Sequence, residues 1–240
     1  MADEAVISAQ TVQLQETQPN STRTTQDHGR GSVGGQPRRL IQRLSNMSSE
    51  RNIVRCSWCE SSDLYRQYHD TEWGVPLLDS HALFRLLMLE GQQAGLSWIT
   101  VLNKRAHMDE VFAGFDPQIL ASTKPATLER WVLDAGLIRH RGKLDALVGN
   151  AQSMLGITDF ATWLWSFAAA ADEEKPGAVP AQTSHSLAMS KALKKAGFRF
   201  VGPTICYAFM QSAGMVNDHH PDCWRHEVCE PLVRQALNAR

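Results

Sequence analysis

Two cysteines and two histidines, one pair early and one pair late in the sequence, would make a complete set of zinc ligands. They are Cys56, His69, His219 and Cys223. Two thiolates and two imidazoles form a closed tetrahedral site, which is structural because it leaves no coordination position for water. Spacing alone leaves the set open, because Cys59, His220 and His226 are competing ligands and buried cysteines and scattered histidines are common.

Four aromatic residues and one acid in a short stretch would suit a flat, cationic ligand. They are Trp58, Tyr68, Trp73, Glu90 and Trp98. Aromatic rings offer stacking and cation–π attraction, and a carboxylate adds charge pairing. Trp98 follows Glu90 at a spacing that would place both on nearly the same face of an unbroken helix. The alternative is that the rings pack in a core and Glu90 faces solvent.

Residues 194–204, KKAGFRFVGPT, have the composition of a phosphate-binding turn between two helices. The candidate contact residues are Lys195, Gly197, Arg199, Gly202 and Thr204. Glycine allows a nucleic-acid backbone to come close, and the N–H groups at a helix N-terminus attract a phosphate. An ordinary helical corner with solvated lysines would show the same pattern, so both interpretations stay open.

Helices are predicted to position all of these residues. From Asn52 onward the apolar residues recur at helical spacing, and capping residues mark the boundaries. The predicted helices are 79–90, a short one from 116, 127–135, 139–155, 159–167, 186–196 and 203–213. A polar loop is predicted at 172–185. The fold class is therefore all-α.

One domain with a tail is the organisation predicted for the 240 residues. Residues 1–50 contain no aromatic residue and no sustained apolar period, which predicts a disordered tail. Residues 51–228 would form the folded domain. Residues 229–240 would form a C-terminal extension, either an added helix or a disordered segment.

Composition narrows the class of protein. No apolar stretch is long enough for a membrane helix, and no secretory signal pattern opens the sequence, so an intracellular protein is expected. Five cysteines are an odd number, which disfavours a disulfide framework. The net charge of -1 means that any contact with nucleic acid must come from a local basic patch.

Several long blocks of sequence resemble the bacterial 3-methyladenine DNA glycosylase I family. The blocks are CSW (56–58), YHD (68–70), EWGVP (72–76), LEGQQAGLSWITVLNKR (89–105), AGLIRHRGKLDALVGNA (135–151), WSF (165–167) and SKALKKAGFRFVGPTICYAFMQSAGMVNDH (190–219). The resemblance runs from about Arg55 to Cys223. It implies a helix-hairpin-helix glycosylase fold in which one structural zinc joins the N- and C-terminal parts of the domain.

The resemblance also implies roles for individual residues. Cys56, His69, His219 and Cys223 would bind the zinc, and Cys59 would have no ligand role. Glu90 and Tyr68 would hydrogen-bond a flipped base, Trp98 would stack on it, and Trp58 and Trp73 would form the pocket walls. Gly202 and its neighbours would hold the DNA backbone.

The implied activity is monofunctional excision of 3-methyladenine from double-stranded DNA, by a monomer that acts in the cytoplasm without an obligatory protein partner. The methylated base is cationic and leaves readily, so selectivity through Glu90, Tyr68 and Trp98 would supply most of the rate. Many helix-hairpin-helix glycosylases carry a catalytic aspartate where this sequence has Asn217, which leaves Asp218 as a candidate water-orienting residue.

Two other functions stay open at this stage. A zinc-stabilised DNA-binding module without catalysis would use the same hairpin and the same four ligands. A metal-dependent hydrolase would need an open coordination position, which four protein ligands would deny.

Overall fold

The computed structural model describes residues 53–169 and 179–239, and every regular element in these ranges is helical. The all-α prediction is therefore confirmed for the described part of the chain. The tail predicted at 1–50 and the first half of the loop predicted at 172–185 lie outside the described residues.

Ten α-helices follow one another in the described ranges. They are α1 (Asp63–Thr71), α2 (Ser80–Gln93), α3 (Trp98–Val111), α4 (Pro117–Ala121), α5 (Pro125–Leu133), α6 (Arg141–Leu155), α7 (Phe160–Trp165), α8 (Ser184–Lys195), α9 (Pro203–Ser212) and α10 (Trp224–Asn238). Short 3-10 helices lie at Ser57–Ser61 and Ala113–Phe115.

Local capping explains where several helices begin. The Asp79 carboxylate accepts a hydrogen bond from the Ala82 N–H at the start of α2, and Asp159 does the same for Thr162 at the start of α7. Such caps satisfy N–H groups that have no partner within the helix. The predicted boundaries of these helices agree with the structure to within a few residues.

Glu90 and Trp98 do not lie on one unbroken helix, so the condition under which they would share a face is not met. Helix α2 ends at Gln93, and α3 begins at Trp98. Gly95 lies between them with φ +75, a left-handed conformation that glycine adopts without strain. The chain therefore turns between the two residues, and each approaches the interior from its own helix.

Helix α2 lies at the centre of the packing and contacts α3, α6, α7 and α9. From Leu86 to Gln93 every residue of α2 is buried, as expected for a helix covered on all sides. Glu90 therefore lies in the interior, not on a solvent-facing side of the helix.

The C-terminal helix continues across the predicted domain boundary. Helix α10 spans Trp224–Asn238 without a break, and its Cys229, Val233 and Ala236 are buried. Residues 229–238 therefore pack as part of the helical domain. Among the described residues, the structure contains no helix with the length and apolar character needed to cross a membrane.

Candidate metal centre and buried aromatic pocket

Four buried donor atoms converge where the two ends of the domain meet. One ligand atom each from Cys56, His69, His219 and Cys223 lies within 4.8 Å of the other three. The Cys223 Sγ lies 3.3 Å from His69 Nε2 and 3.7 Å from His219 Nδ1. Tetrahedral zinc places sulfur and nitrogen ligands roughly 3.5 Å apart. The cluster could hold a metal ion of that size.

Both imidazoles are oriented by partners outside the cluster. His69 Nδ1 lies 2.8 Å from Asp70 Oδ1, and Arg55 in turn binds the Asp70 carboxylate through two nitrogens. His219 Nε2 lies 3.1 Å from the Trp73 carbonyl oxygen. A proton held on each outer nitrogen leaves the inner nitrogen as an acceptor, which is the arrangement that metal-binding histidines require.

The two thiols differ in their electrostatics: a hydrogen bond with Cys223 and burial raise the pKa of Cys56, whereas the environment of Cys223 favours the thiolate. The His220 N–H donates to Cys56 Sγ at 3.3 Å. A hydrogen bond from Cys56 lowers the pKa of Cys223, and hydrogen bonds from His219 and His69 lower it further. Cys223 also precedes the N-terminus of α10, where the helix dipole stabilises negative charge.

The competing ligands lie outside this cluster. Cys59 donates its thiol to the Cys56 carbonyl oxygen at 3.1 Å, and His220 is exposed and accepts from the Asp222 N–H. The cluster that could hold a metal ion contains none of Cys59, His220 and His226. Gly74 permits the close packing, because a Cβ at this position would lie 3.0 Å from His219 Nε2.

An aromatic layer connects the metal cluster to a second buried site. The Trp73 ring centroid lies 4.5 Å from that of His219 and 5.1 Å from that of Trp58. The Trp58 centroid lies 6.5 Å from that of Tyr68, which is 6.0 Å from that of Trp98. The structure therefore brings together the four aromatic residues singled out in the sequence.

Unpartnered polar atoms mark this second site, the aromatic pocket formed by Tyr68, Glu90, Trp98, Trp58 and Trp73. Tyr68, Glu90 and Trp98 are almost completely buried. The polar atoms without a hydrogen-bond partner among the described residues include Tyr68 Oη, Glu90 Oε2, Trp98 Nε1 and Trp73 Nε1. Buried polar groups are normally paired, so the pocket presents donors and an acceptor ready for a polar ligand.

The Glu90 carboxyl is the electrostatic centre of the pocket. Burial raises its pKa from 4.5 to about 8, although Ser212 Oγ donates to Glu90 Oε1 at 3.1 Å and opposes the shift. Burial and the nearby Glu90 raise the pKa of Tyr68, and the nearby Ser212 hydroxyl opposes that shift. A carboxylate in such a dry site would bind a cation strongly.

Three partners of these sites were not predicted from the sequence. Ser212 comes from α9, far from Glu90 in the chain. The Arg105 guanidinium donates two hydrogen bonds, of 2.9 and 3.1 Å, to the Glu72 carboxylate. Asp70 orients His69, and its place directly after that histidine was the only local signal available.

The candidate phosphate-binding turn is partly exposed, with Phe198 and Val201 buried. Lys195 ends α8, Pro203 begins α9, and Lys195, Gly197, Arg199 and Thr204 are exposed. A Cβ at Gly202 would meet no described atom within 4 Å. Gly197 differs, because it has φ +98 and a Cβ there would lie 2.8 Å from Ser153 Oγ.

Asp218 is bound by side chains of α9. Its Oδ2 accepts hydrogen bonds from Tyr207 Oη at 2.6 Å and from Gln211 Nε2 at 2.8 Å. The neighbouring Asn217 donates to Glu230 Oε2 at 2.9 Å. These contacts tie the segment before His219 to α9 and α10.

Comparison with known proteins gives consistent matches. A family model described as methyladenine glycosylase matches residues 58–226. The DNA-3-methyladenine glycosylase 1 of Escherichia coli (strain K12) is 50% identical over 179 residues, which cover 71% of this chain and 96% of that protein.

Two solved structures resemble the whole domain. A crystal structure of 3-methyladenine DNA glycosylase I has a TM-score of 0.66 and 47% identity, and the match covers 71% of this chain and 98% of that one. A Tyr-to-Phe variant of such an enzyme in complex with 3-methyladenine has a TM-score of 0.65 and 34% identity, with 71% and 96% covered.

Proposed function

The chain belongs to the methyladenine glycosylase family, and on this premise we propose that it excises 3-methyladenine from alkylated double-stranded DNA. The reaction hydrolyses the N-glycosidic bond of the damaged nucleotide, releases the free base and leaves an abasic site. A similar structure that contains 3-methyladenine supports this base as the ligand.

The observation that carries the proposal is the aromatic pocket with its unpartnered buried polar atoms. A base inside a duplex must first be flipped out, at a cost of a few kcal/mol. Stacking on an aromatic ring returns about 1 to 3 kcal/mol. The pocket offers this stacking together with hydrogen-bonding groups at its polar atoms.

We assign the roles within the pocket from the family resemblance, and the chemistry of each residue is consistent with its role. Glu90 pairs with the positive charge of the methylated base, and Tyr68 provides a hydroxyl that can hydrogen-bond it. Trp98 stacks on the base, and Trp58 and Trp73 form the walls. A neutral adenine would gain less binding free energy from Glu90 than the cationic base does, so the pocket selects the cationic lesion.

Bond cleavage then needs little further assistance. The electron pair of the glycosidic bond goes to the departing base and neutralises its positive charge. Water adds to the sugar carbon and releases a proton. Asp218 is a candidate for orienting this water, although its Oδ2 already accepts hydrogen bonds from Tyr207 and Gln211.

We propose that the turn between α8 and α9 is the hairpin of a helix-hairpin-helix fold and holds the DNA backbone. Lys195 and Arg199 would supply positive charge, while Gly197, Gly202 and Thr204 would present backbone groups to phosphate. Gly202 supports this role, because neither a positive φ nor a neighbouring described atom requires glycine there. An approaching phosphate would require it.

We further propose that the four-residue cluster binds one structural zinc. The two thiols and two oriented imidazoles fit this ion in donor type and spacing. Bound zinc would cross-link the segment of Cys56 and His69 to that of His219 and Cys223. Four protein ligands would leave no position for catalysis, which disfavours a metal-dependent hydrolase.

The remaining features of the proposal follow from the family. The enzyme would be monofunctional, because none of the sequence segments that form the pocket offers a lysine suited to attack the sugar. It would act as a monomer in the bacterial cytoplasm, without an obligatory protein partner. A non-catalytic DNA-binding module is the alternative that the following experiment excludes or supports.

The test is release of free base from methylated duplex DNA, with the base identified by chromatography. We expect the wild-type protein to release 3-methyladenine, and Glu90→Gln to do so about 100-fold more slowly. Glu110→Gln makes the same change at an exposed position of α3 and should leave the rate unchanged. No release by folded, zinc-loaded wild-type protein would favour the non-catalytic module.

A further inference from the structure

A buried amide on α6 binds the backbone of the hairpin. Asn150 Oδ1 accepts the Arg199 N–H at 2.8 Å, and Asn150 Nδ2 donates to the Arg199 carbonyl oxygen at 3.0 Å. Asn150 is almost fully buried, and Arg199 lies 49 positions further along the chain. One side chain therefore binds both backbone groups of one hairpin residue.

The residue after Arg199 shows why this fastening matters. Phe200 has φ +58, a left-handed conformation that is strained for a bulky side chain. Its Cβ and its carbonyl oxygen each lie 3.5 Å from the position of a Cβ at Gly91. Gly91 follows Glu90 on α2, so the strained residue lies against the helix that carries the acid of the pocket.

A further hydrogen bond to the turn comes from α8, one of the two helices that the turn connects. Ser190 on α8 donates to the Val201 carbonyl oxygen at 2.6 Å. That bond shapes the turn between α8 and α9. The Asn150 bonds differ because they connect the turn to α6, which also packs on α2. Together with the stacking of Phe198 on Phe160, whose ring centroids lie 5.9 Å apart, they hold the hairpin in place relative to the pocket.

We propose that Asn150 is a positioning residue for DNA recognition, which fixes the hairpin backbone at the place where it must meet the phosphates while the base enters the pocket. The assignment rests on the proposed DNA-binding role of the hairpin. Asn150 acts through Arg199 and Phe200 and makes no contact with the base.

The test separates DNA binding from base binding in the same variants. Asn150→Ala removes both hydrogen bonds, and Asn150→Leu removes them while it keeps most of the buried volume. We expect both variants to bind methylated duplex DNA more weakly, with a dissociation constant about tenfold higher than that of the wild type. Single-turnover excision at saturating enzyme should stay near the wild-type rate. Affinity for free 3-methyladenine, followed by tryptophan fluorescence, should not change.

Gln152→Ala is the matched control on the same helix. Its Nε2 donates to the Ala121 carbonyl oxygen at 3.1 Å, so the variant loses an amide bond that does not reach the hairpin. DNA affinity in this control should equal that of wild type. Wild-type DNA affinity in folded Asn150→Leu would overturn the assignment, as would an equal loss of affinity for DNA and for the free base. Wild-type protein that neither binds DNA nor releases base would instead overturn the proposed function.

Discussion

The metal cluster and the aromatic pocket lie on either side of Trp58 and Trp73, yet they differ in hydrogen bonding. The imidazoles of the cluster have hydrogen-bond partners, whereas several polar atoms of the pocket have none among the described residues. In the cluster, both imidazoles are bonded on the outside, to Asp70 and to the Trp73 carbonyl oxygen. In the pocket, Tyr68 Oη and Glu90 Oε2 have no partner among the described residues.

This difference indicates what each region contributes. Burying an unpaired polar group typically costs about 1 to 3 kcal/mol, so a fold retains such groups where a ligand uses them. A cluster whose ligands are all oriented can stabilise the fold once a metal binds. On the proposed function, the cluster would serve stability, and the pocket would serve recognition at some expense of stability.

Loss of a metal ligand should have the largest effect on the free energy of unfolding. Cys223→Ser removes a thiolate from the buried cluster and should lower that free energy by about 5 kcal/mol or more. Denaturant unfolding with a measured zinc content checks this. Excision per folded molecule should stay near normal.

Cys59→Ser is the matched control for the metal cluster. Its thiol is buried but donates only to the Cys56 carbonyl oxygen, so we expect a loss of about 1 kcal/mol with full zinc content. Equal losses in the two variants would contradict the assignment of ligands.

The pH dependence of kcat/KM should reveal the charge of Glu90. Its pKa of about 8 in the free enzyme leaves the carboxyl mostly protonated at pH 7, so the form that pairs with a cation is gained as pH rises. We expect kcat/KM to increase about tenfold from pH 7 to pH 9. Glu90→Gln should have a flat profile, and a flat wild-type profile would refute this role.

Tyr68→Phe should have a smaller effect, with different signs for activity and stability. We expect excision to fall about tenfold because one hydrogen bond to the base is lost. The free energy of unfolding should stay equal or rise by about 1 kcal/mol, because the deleted hydroxyl is buried without a partner among the described residues. A marked fall in stability would show that the hydroxyl supports the fold.

Asp218→Asn should have the smallest effect. The asparagine can still accept through its oxygen from Tyr207 or Gln211, and the charge of the base requires little help from a general base. Single-turnover excision within about threefold of the wild-type rate is expected. A loss approaching 100-fold would make Asp218 a catalytic residue.

Helices α2 and α4 to α9 were predicted because their signals are local, whereas α1 and α3 were not predicted. Asp79, Asp159 and Gly156 mark helix ends by their own conformational preferences, and the structure agrees with them. The four predicted metal ligands coincide with the cluster that could hold a metal ion. Their spacing alone left Cys59, His220 and His226 in competition, and only the family resemblance gave a single set.

Contacts between distant segments could not be predicted in the same way. The break at Gly95 separates Glu90 from Trp98, and a glycine inside a helical pattern does not reveal where the chain turns. Ser212 and Asn150 bind partners far away in the sequence. Such pairs depend on tertiary packing, for which helical periodicity carries no signal.

The most direct test of the contrast between the two regions is the free energy of unfolding of Glu90→Gln at pH 7. The folded-state pKa of about 8 exceeds the ordinary value of 4.5, so stability from Glu90 is fully present below pH 4.5 and is lost as pH rises through 8. Removing the ionisable group should therefore stabilise the protein at pH 7 by about 3 kcal/mol. A destabilised Glu90→Gln would contradict the claim that the pocket is held for its ligand at the expense of stability.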